Sequence, residues 1–374
     1  MKKIILSVTN DLVTDQRVHR SCMALTEAGY EVVLVGRHLK ESIPISRPYK
    51  TVRMGIFFRK HAFFYAEYNL RLFNRLLWSN ADLFYANDVD VLPANYWAAK
   101  IRRKPLFFDA HELFSEMPEL VSRPRIRSFW RWIEKSIIPH VEHCCTVCDS
   151  FARIYKERHG VEMKVVRNVP LRSELKASGS RHEGRYRLLY QGSVNVGRGL
   201  EQMLEAMPYL DNCEFLVAGT GDCFDSLRDR VKEMGLEDRV RFLGRLPLEE
   251  LRQLTVTADL GIALLKNLGM NYYYTLPNRI ADYAQCAVPV LATAFPEVEG
   301  VVKEYGIGTL VESGVEDDPK RLAEAITAAL REWDSIDPEE RKRRFERAGS
   351  ELCWERDRKV LLDAVDKALN QTLD

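Results

Sequence analysis

The sequence predicts an α/β protein made of two doubly wound parallel-sheet domains in tandem. Three observations carry that expectation. Short β-rich apolar runs alternate with helix-patterned stretches along the whole chain, the alternation restarts near residue 187, and 374 residues at 46% hydrophobic content suit two cores better than one.

The first half opens with Lys3-Ile-Ile-Leu-Ser-Val8, an almost continuous apolar run of the kind that forms a strand buried on both faces. A helix from about 15 to 28 is stopped by Gly29, and Glu31-Val-Val-Leu-Val35 completes a βαβ unit. Further strands are expected near 83–86, 106–109 and 145–147, separated by helices such as 92–101 and 128–139. The second half repeats the rhythm, with strands at 187–191, 214–218, 240–243, 260–263 and 288–292. Arg167-Asn-Val-Pro170 marks the boundary, giving an N-terminal domain over 1–168 and a C-terminal domain over 169–354. The polar run Lys176–Arg185, with Ser178-Gly-Ser180, is expected to be the flexible stretch after it. A last helix, within about 355–374, carries Leu361, Ala364, Val365 and Ala368 at helical spacing and is expected to pack back on the first domain.

Composition narrows the function. The longest apolar stretches, such as Ile4–Val8 and Leu260–Leu265, are far below the ~20 residues that cross a bilayer, and Met1-Lys2-Lys3 leads straight into a strand, so neither a signal peptide nor a spanning helix is expected. Eight scattered cysteines read as reduced core residues, which places the chain in the cytoplasm. Residues 1–167 hold 27 Lys and Arg against 18 Asp and Glu, and the remainder 28 against 36, so a cationic front half precedes an anionic back half. The asymmetry suits a negative partner for the front half, or mutual attraction of two domains, while the net charge of +1 argues against a nucleic-acid binder.

Two segments concentrate the front-half charge. Residues 53–78 carry five Lys and Arg against one acid, interleaved with Phe57, Phe58, Phe63, Phe64, Tyr65, Phe73 and Trp78, and 123–135 carry five against one with Phe129, Trp130 and Trp132. Basic residues mixed with Trp and Phe fit the surface of an anionic membrane, where each cation contributes ~1 kcal/mol. The alternative is aromatics packed inward under solvated cations.

In the second half, Leu189-Tyr-Gln-Gly-Ser-Val-Asn-Val-Gly-Arg-Gly199 joins a strand to a helix. Gly192, Gly197 and Gly199 would let backbone amides approach an anion, and Arg198 could fork onto phosphate oxygens, although tight turns need glycine anyway. It follows neither the Walker nor the G-x-G-x-x-G pattern. Val217-Ala-Gly-Thr-Gly-Asp222, with Gly219 and Gly221, repeats the device at the next strand end, or is a turn with Asp222 as helix cap. In Tyr272-Tyr-Tyr-Thr-Leu-Pro-Asn-Arg-Ile-Ala-Asp282, Pro277 and Asn278 start a helix that places Arg279 and Asp282 one turn apart. Read plainly, that pair is an exposed i,i+3 ion pair worth about 0.2–0.5 kcal/mol.

In the first half, Phe107-Phe-Asp-Ala-His-Glu112 ends a strand in Asp109, His111 and Glu112, a group suited to acid/base chemistry, metal binding or orienting sugar hydroxyls, or to a merely structural histidine. Asn10 and Asp11 in the opening loop, with Asp15 at the helix start, either line a ligand site or cap the helix. Asp88-Val-Asp90 spells D-x-D, and Asp88 is a candidate for meeting an acceptor. Cys144-Cys145-x-x-Cys148 lacks the second pair of a zinc site and reads as core packing.

The run ending at Asp282, together with the Gly192–Gly199 turn, Ala218-Gly-Thr-Gly221, Arg241-Phe-Leu-Gly244 and Ala258-Asp-Leu-Gly261 in that order, resembles the retaining glycosyltransferases of family 4. More closely, it resembles their Leu-Pro-Asn-Lys/Arg version of the E-x7-E region. The resemblance implies the GT-B fold: two Rossmann-like, doubly wound parallel-sheet domains facing an interdomain cleft, with a nucleotide diphosphate sugar held by the second domain through Gly192, Ser193, Gly197, Gly219, Gly221, Tyr274, Thr275, Leu276, Pro277, Asn278 and Asp282. The later acid of the motif, which binds the ribose hydroxyls, falls on Asp282. The earlier acid falls on Tyr274, and of the usual basic pair on the diphosphate the first position holds Ser193 and the second Arg198, leaving Arg279 as a candidate replacement. His111 takes the place of the family histidine that contacts the donor sugar, with Asp109 and Glu112 as orienters.

The activity so implied is retaining transfer of a hexose-type sugar to a hydroxyl of a cell-surface glycan or glycolipid. His111, Arg198 and Arg279 are the catalytic candidates, and Asn10, Asp11, Asp88, Asp109 and Glu112 the acceptor or cleft residues. No metal or other cofactor and no nucleic acid is expected. The expected partners are the donor, a glycan or lipid-linked acceptor and an anionic inner-membrane surface, which would make the chain cytoplasmic and peripheral to the membrane. The alternatives are a nucleotide-sugar epimerase of the same fold and an inactive nucleotide-sugar-binding scaffold, the latter raised by Tyr274 and Ser193. A nicotinamide-dependent oxidoreductase is disfavoured because the first strand lacks its fingerprint.

Overall fold

The structure is a computed structural model that describes residues 1–13, 15–40, 42–174 and 184–370; the polar run 176–185, apart from its last two residues, lies outside them. The chain divides into two compact units, one of 1–168 with 357–374 and one of 169–356.

The first unit is a sheet of seven parallel strands in the order β3-β2-β1-β4-β5-β6-β7. In chain order its elements are β1 (Lys3–Ser7), α1 (Gln16–Glu27), β2 (Glu31–Arg37), β3 (Lys50–Met54), α2 (His61–Leu77), β4 (Leu83–Asn87), α3 (Leu92–Arg102), β5 (Leu106–Ala110), α4 (Pro118–Val121), α5 (Pro124–Ile137), β6 (His143–Thr146), α6 (Asp149–His159) and β7 (Lys164–Val165). Local chemistry sets the boundaries. The Asp15 carboxylate accepts the Val18 N–H and so starts α1, Pro124 opens α5 where no intrahelical donor is needed, and Gly160 in the left-handed region ends α6. Every residue of β4 and β5 is buried, as their apolar runs require.

The second unit is a sheet of six parallel strands, β10-β9-β8-β11-β12-β13. It contains β8 (Tyr186–Gln191), α7 (Leu200–Ala206), β9 (Cys213–Ala218), α8 (Phe224–Glu233), β10 (Val240–Gly244), α9 (Leu248–Thr255), β11 (Leu260–Ala263), α10 (Met270–Tyr273), α11 (Asn278–Gln285), β12 (Val290–Thr293), α12 (Pro296–Tyr305), β13 (Gly308–Val311), α13 (Pro319–Ser335) and α14 (Pro338–Glu351). One apolar cluster joins the sheet to α7, α8 and α13, and another joins it to α11, α12 and α14, so both faces are covered. The last helix, α15 (Trp354–Asn370), begins in this unit and returns to the first, where the Arg358 guanidinium pairs with Glu27 at 2.8 Å and the Lys2 ammonium donates to the Leu369 carbonyl.

Strands β3, β7 and β13 are absent from the sequence reading, and all three are sheet edges. An edge strand has one open flank, so its residues need not be apolar: β3 is Lys-Thr-Val-Arg-Met, β7 has two residues, and β13 opens on glycine. In each sheet the order reverses beside the first strand of the unit, at β1/β4 and at β8/β11. Beyond the carboxyl ends of strands at such reversal points, open α/β sheets bind their ligands.

Candidate functional sites in the two units

In the second unit the reversal point is occupied by two interleaved glycine turns. The Gly192 N–H donates to Ala218 and the Val194 N–H to Thr220, while the Asn195 side chain accepts the Asp222 N–H. A Cβ on Gly219, which sits at φ +151°, would lie 1.8 Å from the Gly192 carbonyl oxygen, and one on Gly221 would lie 2.2 Å from the Asn195 side chain. Gly192 and Gly197 both have positive φ. The Gly192 N–H is itself committed to β9. The N–H groups of Ser193 and Gly197 donate to nothing among the described residues and remain free for a ligand. Asp222 does not cap α8, which starts without a side-chain cap.

Two guanidiniums converge on this turn. Arg279, the second residue of α11, is only 6% exposed; it lies 4.1 Å over the Tyr190 ring, and its Nη2 donates to the Tyr190 hydroxyl at 3.0 Å. That hydroxyl in turn donates to the Ser193 carbonyl at 2.5 Å, which ties the arginine to the turn. Nη2 would stand 3.2 Å from a Cβ on Gly192, so the glycine gives the guanidinium room, and the buried Nη1 has no hydrogen-bond partner. Arg198 lies 4.4 Å over the Tyr272 ring with its Nε buried and unpartnered. Neither arginine makes an ion pair among the described residues. Two ring-stacked guanidiniums, one of them buried, give this turn a positive charge that an anion would complement.

The other expected donor residues lie on α10, on α11 and on the segment between them. Tyr274 caps α10 and stands edge-on to Tyr273, Thr275 and Leu276 are half-buried, Pro277 caps α11, and Asn278 is its exposed first residue. Asp282, one turn into α11, accepts from the Gln191 amide at 3.1 Å.

In the first unit the reversal point holds a buried charge network. Asp109, fully buried at the end of β5, accepts from Arg17 at 2.6 Å and from the Tyr85 hydroxyl at 2.8 Å. Burial opposes its charge, yet Arg17 and His111 hold its carboxyl far below the usual carboxylate range. Asp109 thus stands as an orienter of His111, fully buried and away from any ligand surface of its own. The His111 Nε2 lies 3.3 Å from Asp109, and its Nδ1 3.4 Å from Asp88. Burial pulls the imidazole down, but Asp88 and Asp109 outweigh it and lift it to about 9, so His111 is an imidazolium at neutral pH. Asp88 sits at φ +66° and accepts the His111 N–H at 2.8 Å; burial pushes its carboxyl up to about 7 against the pull of His111. Asp90, pushed up to about 6 by burial, accepts the Thr9 hydroxyl, so the two acids of Asp88-Val-Asp90 turn to different partners.

The opening loop is tied to the strands beside it, where the Arg37 N–H donates to the Asn10 carbonyl and the Arg53 guanidinium to that of Asp11. Asn10 bridges the Leu12 N–H and Asp15, and Asp11 accepts the Val13 N–H, so both serve the turn. Glu112 is exposed and offers its backbone carbonyl to Tyr155. The cysteines Cys144, Cys145 and Cys148 are all buried and none is in a disulfide among the described residues. Replacing Arg17 with Met would strand the Asp109 carboxylate in the core, and a loss of about 3–5 kcal/mol in urea unfolding is the expected outcome.

The basic segments divide. Arg127 and Arg131 are spent on the buried Glu116, which Arg158 also grips, and Arg53 serves the loop at Asp11. Arg59, Lys60, Arg75, Arg123, Arg125 and Lys135 are exposed and make no ion pair among the described residues. Phe64 and Trp130 pack inward, but Phe63, Trp78, Phe129 and Trp132 are 52–84% exposed, and Trp97 of α3 adds another at 51%. No helix among the described residues is long and apolar enough to cross a membrane.

Sequence reasoning missed Tyr190, Tyr272, Arg17 and Gln191. Only Gln191 left a signal, as a polar side chain closing the apolar run Leu188-Leu-Tyr190.

Residues 15–170 match the family described as Glycosyltransferase Family 4, and residues 172–351 match that described as Glycosyl transferases group 1. A glycosyltransferase of Methanocaldococcus jannaschii is 32% identical over 75 residues, a match that spans 19% of this chain and 19% of that relative. Among solved structures, sucrose-phosphate synthase from Thermosynechococcus elongatus superposes with a TM-score of 0.78 at 18% identity, over 98% of this chain and 99% of that one. Anabaena HepE in complex with UDP-glucose gives 0.74 at 15% identity, and WaaG, a glycosyltransferase involved in lipopolysaccharide biosynthesis, gives 0.67 at 14%, each over 98% of this chain and all of the other. With a Family 4 domain followed by a group 1 domain, both on parallel α/β sheets, the chain belongs to the glycosyltransferases of the GT-B fold.

Proposed function

We propose that this protein is a retaining glycosyltransferase that moves a hexose-type sugar from a nucleotide diphosphate sugar to a hydroxyl of a glycan or glycolipid acceptor in cell-surface synthesis. The observation that carries the reading is the pair of tyrosine-stacked guanidiniums, Arg198 and Arg279, without carboxylate partners beside the Gly192–Gly199 turn. Support comes also from Anabaena HepE, a structural neighbour solved with UDP and with UDP-glucose.

In this mechanism the bond from C1 of the sugar to the diphosphate lengthens and negative charge gathers on the leaving oxygens. Arg198, Arg279 and the amides of Ser193 and Gly197 are aimed at that charge before it develops. The acceptor oxygen bonds to C1 on the face the diphosphate leaves, and its proton passes to a phosphate oxygen, so no protein nucleophile is needed. His111, an imidazolium whose two ring nitrogens face Asp88 and Asp109, acts on the sugar through its positive charge and cannot serve as a base. Asp282 takes the ribose hydroxyls. A panel of nucleotide sugars, with and without membrane lipid extract, tests the proposal: nucleotide release that rises with acceptor supports transfer, and no release from any donor contradicts it. NMR of the product's anomeric proton tests retention.

The exposed aromatics of the first unit and their six free cations complement an anionic lipid surface, where an amphiphilic acceptor would be found. Replacing Phe129 and Trp132 with Ser is expected to weaken cosedimentation with phosphatidylglycerol vesicles about tenfold. Both side chains are largely exposed, so the melting temperature should hold. Unchanged vesicle binding would exclude this face.

A further inference from the structure

Asp282 is one methylene shorter than the glutamate that its family carries at this position, and a shorter acid needs its carboxylate placed by something else. The structure supplies a relay. Gln191, the last residue of β8 and only 4% exposed, donates from Nε2 to Asp282 Oδ2 at 3.1 Å. Its Oε1 accepts the hydroxyl of Thr255, the last residue of α9, at 2.9 Å. Thr255 is 1% exposed, and its oxygen also stands 2.7 Å from the Leu251 carbonyl.

The chemistry fixes the direction of this chain. The Thr255 hydroxyl shares its single proton between the Gln191 amide oxygen and the Leu251 carbonyl, so that amide oxygen accepts and the NH2 is turned toward the acid. An ionised carboxylate can only accept, so the relay runs from Thr255 to Gln191 to Asp282 and favours the charged acid. The Gln191 N–H occupies one of about four lone-pair sites on that carboxylate.

We propose that Gln191 and Thr255 are positioning residues that aim the Asp282 carboxylate at a ribose diol, and thereby restrict the donor to ribonucleoside diphosphates over their 2′-deoxy counterparts. The inference rests on the reading of Asp282 as the ribose acceptor. A site built to accept a hydroxyl rejects a ligand that lacks it, because the carboxylate is left unpaired; an acid free to swing rejects it weakly.

Binding of UDP, GDP and ADP, each against its 2′-deoxy form, tests this by calorimetry on wild type and on Gln191→Leu, Thr255→Val and Thr255→Ser, each checked by thermal melting. The expected result is at least a tenfold ribo preference in one pair for the wild type. That preference should fall to near unity in Gln191→Leu, fall severalfold in Thr255→Val, which is nearly isosteric and guards against misfolding, and be restored in Thr255→Ser. Gln191→Glu should bind more tightly as pH falls, because a shared proton restores the donor. If the wild type discriminates and Gln191→Leu and Thr255→Val discriminate equally, the relay is overturned while the donor site stands. If the wild type binds none of the six, or binds both members of every pair alike, the ribose reading of Asp282 fails and the relay with it.

Discussion

Arg279→Met is expected to melt at a higher temperature than the wild type and to turn over about 10²- to 10³-fold more slowly. Both effects have one cause. The guanidinium is almost fully buried, stacks on Tyr190 and spends one hydrogen bond there, but it has no ion pair among the described residues and leaves Nη1 unpartnered. A buried charge without a counter-charge costs folding free energy, and a methionine of similar length fills the same space against the tyrosine without that cost. The cation is worth its burial only when a negative ligand arrives, and more so as the leaving diphosphate gains charge. Thermal melting and steady-state kinetics on the same preparation decide the matter. An active variant of lowered stability would make Arg279 an ordinary packing residue.

His111→Ala is expected to lower kcat about 10²-fold, and the pH profile should identify the reason. Asp88 and Asp109 lift His111 to about 9, so the wild-type rate should fall as pH rises through about 9, when the imidazolium loses its proton. The linkage has the same sign. A folded-state value above the ordinary 6.5 means that the ionic contacts of His111 stabilise fully below that pH and are lost on the way up to about 9. His111→Gln keeps a donor without a titrating charge, so it should retain part of the activity and lose the alkaline limb. An unchanged limb in that variant would assign the titration to another group, and full activity in His111→Ala would remove the residue from the mechanism.

The parallel α/β architecture was legible because buried strands such as β1, β4 and β8 need unbroken apolar runs, and those leave a mark on the sequence. Edge strands need no such run, so β3, β7 and β13 left none. Glycine turns and chemically distinctive side chains such as His111 were legible for the same reason: few residue types can do what those positions require. The supporting residues were not. Tyr190 and Tyr272 carried no mark of their role, because stacking under a guanidinium depends on two segments about 90 and 74 residues apart meeting in space. Arg17 gave no sign of being the buried counter-charge of Asp109, which lies 92 residues further along the chain. Counting charges likewise overstated the free cations of 123–135, since two of its five serve Glu116.

The central claim is that Arg198 and Arg279 hold a diphosphate. Calorimetry of a nucleoside, its monophosphate and its diphosphate against wild type and the Arg198→Ala/Arg279→Met double variant tests it most directly. The account predicts that wild-type affinity climbs at least 10²-fold from nucleoside to diphosphate and that the double variant binds all three about alike. A double variant that kept the wild-type preference for the diphosphate would contradict it.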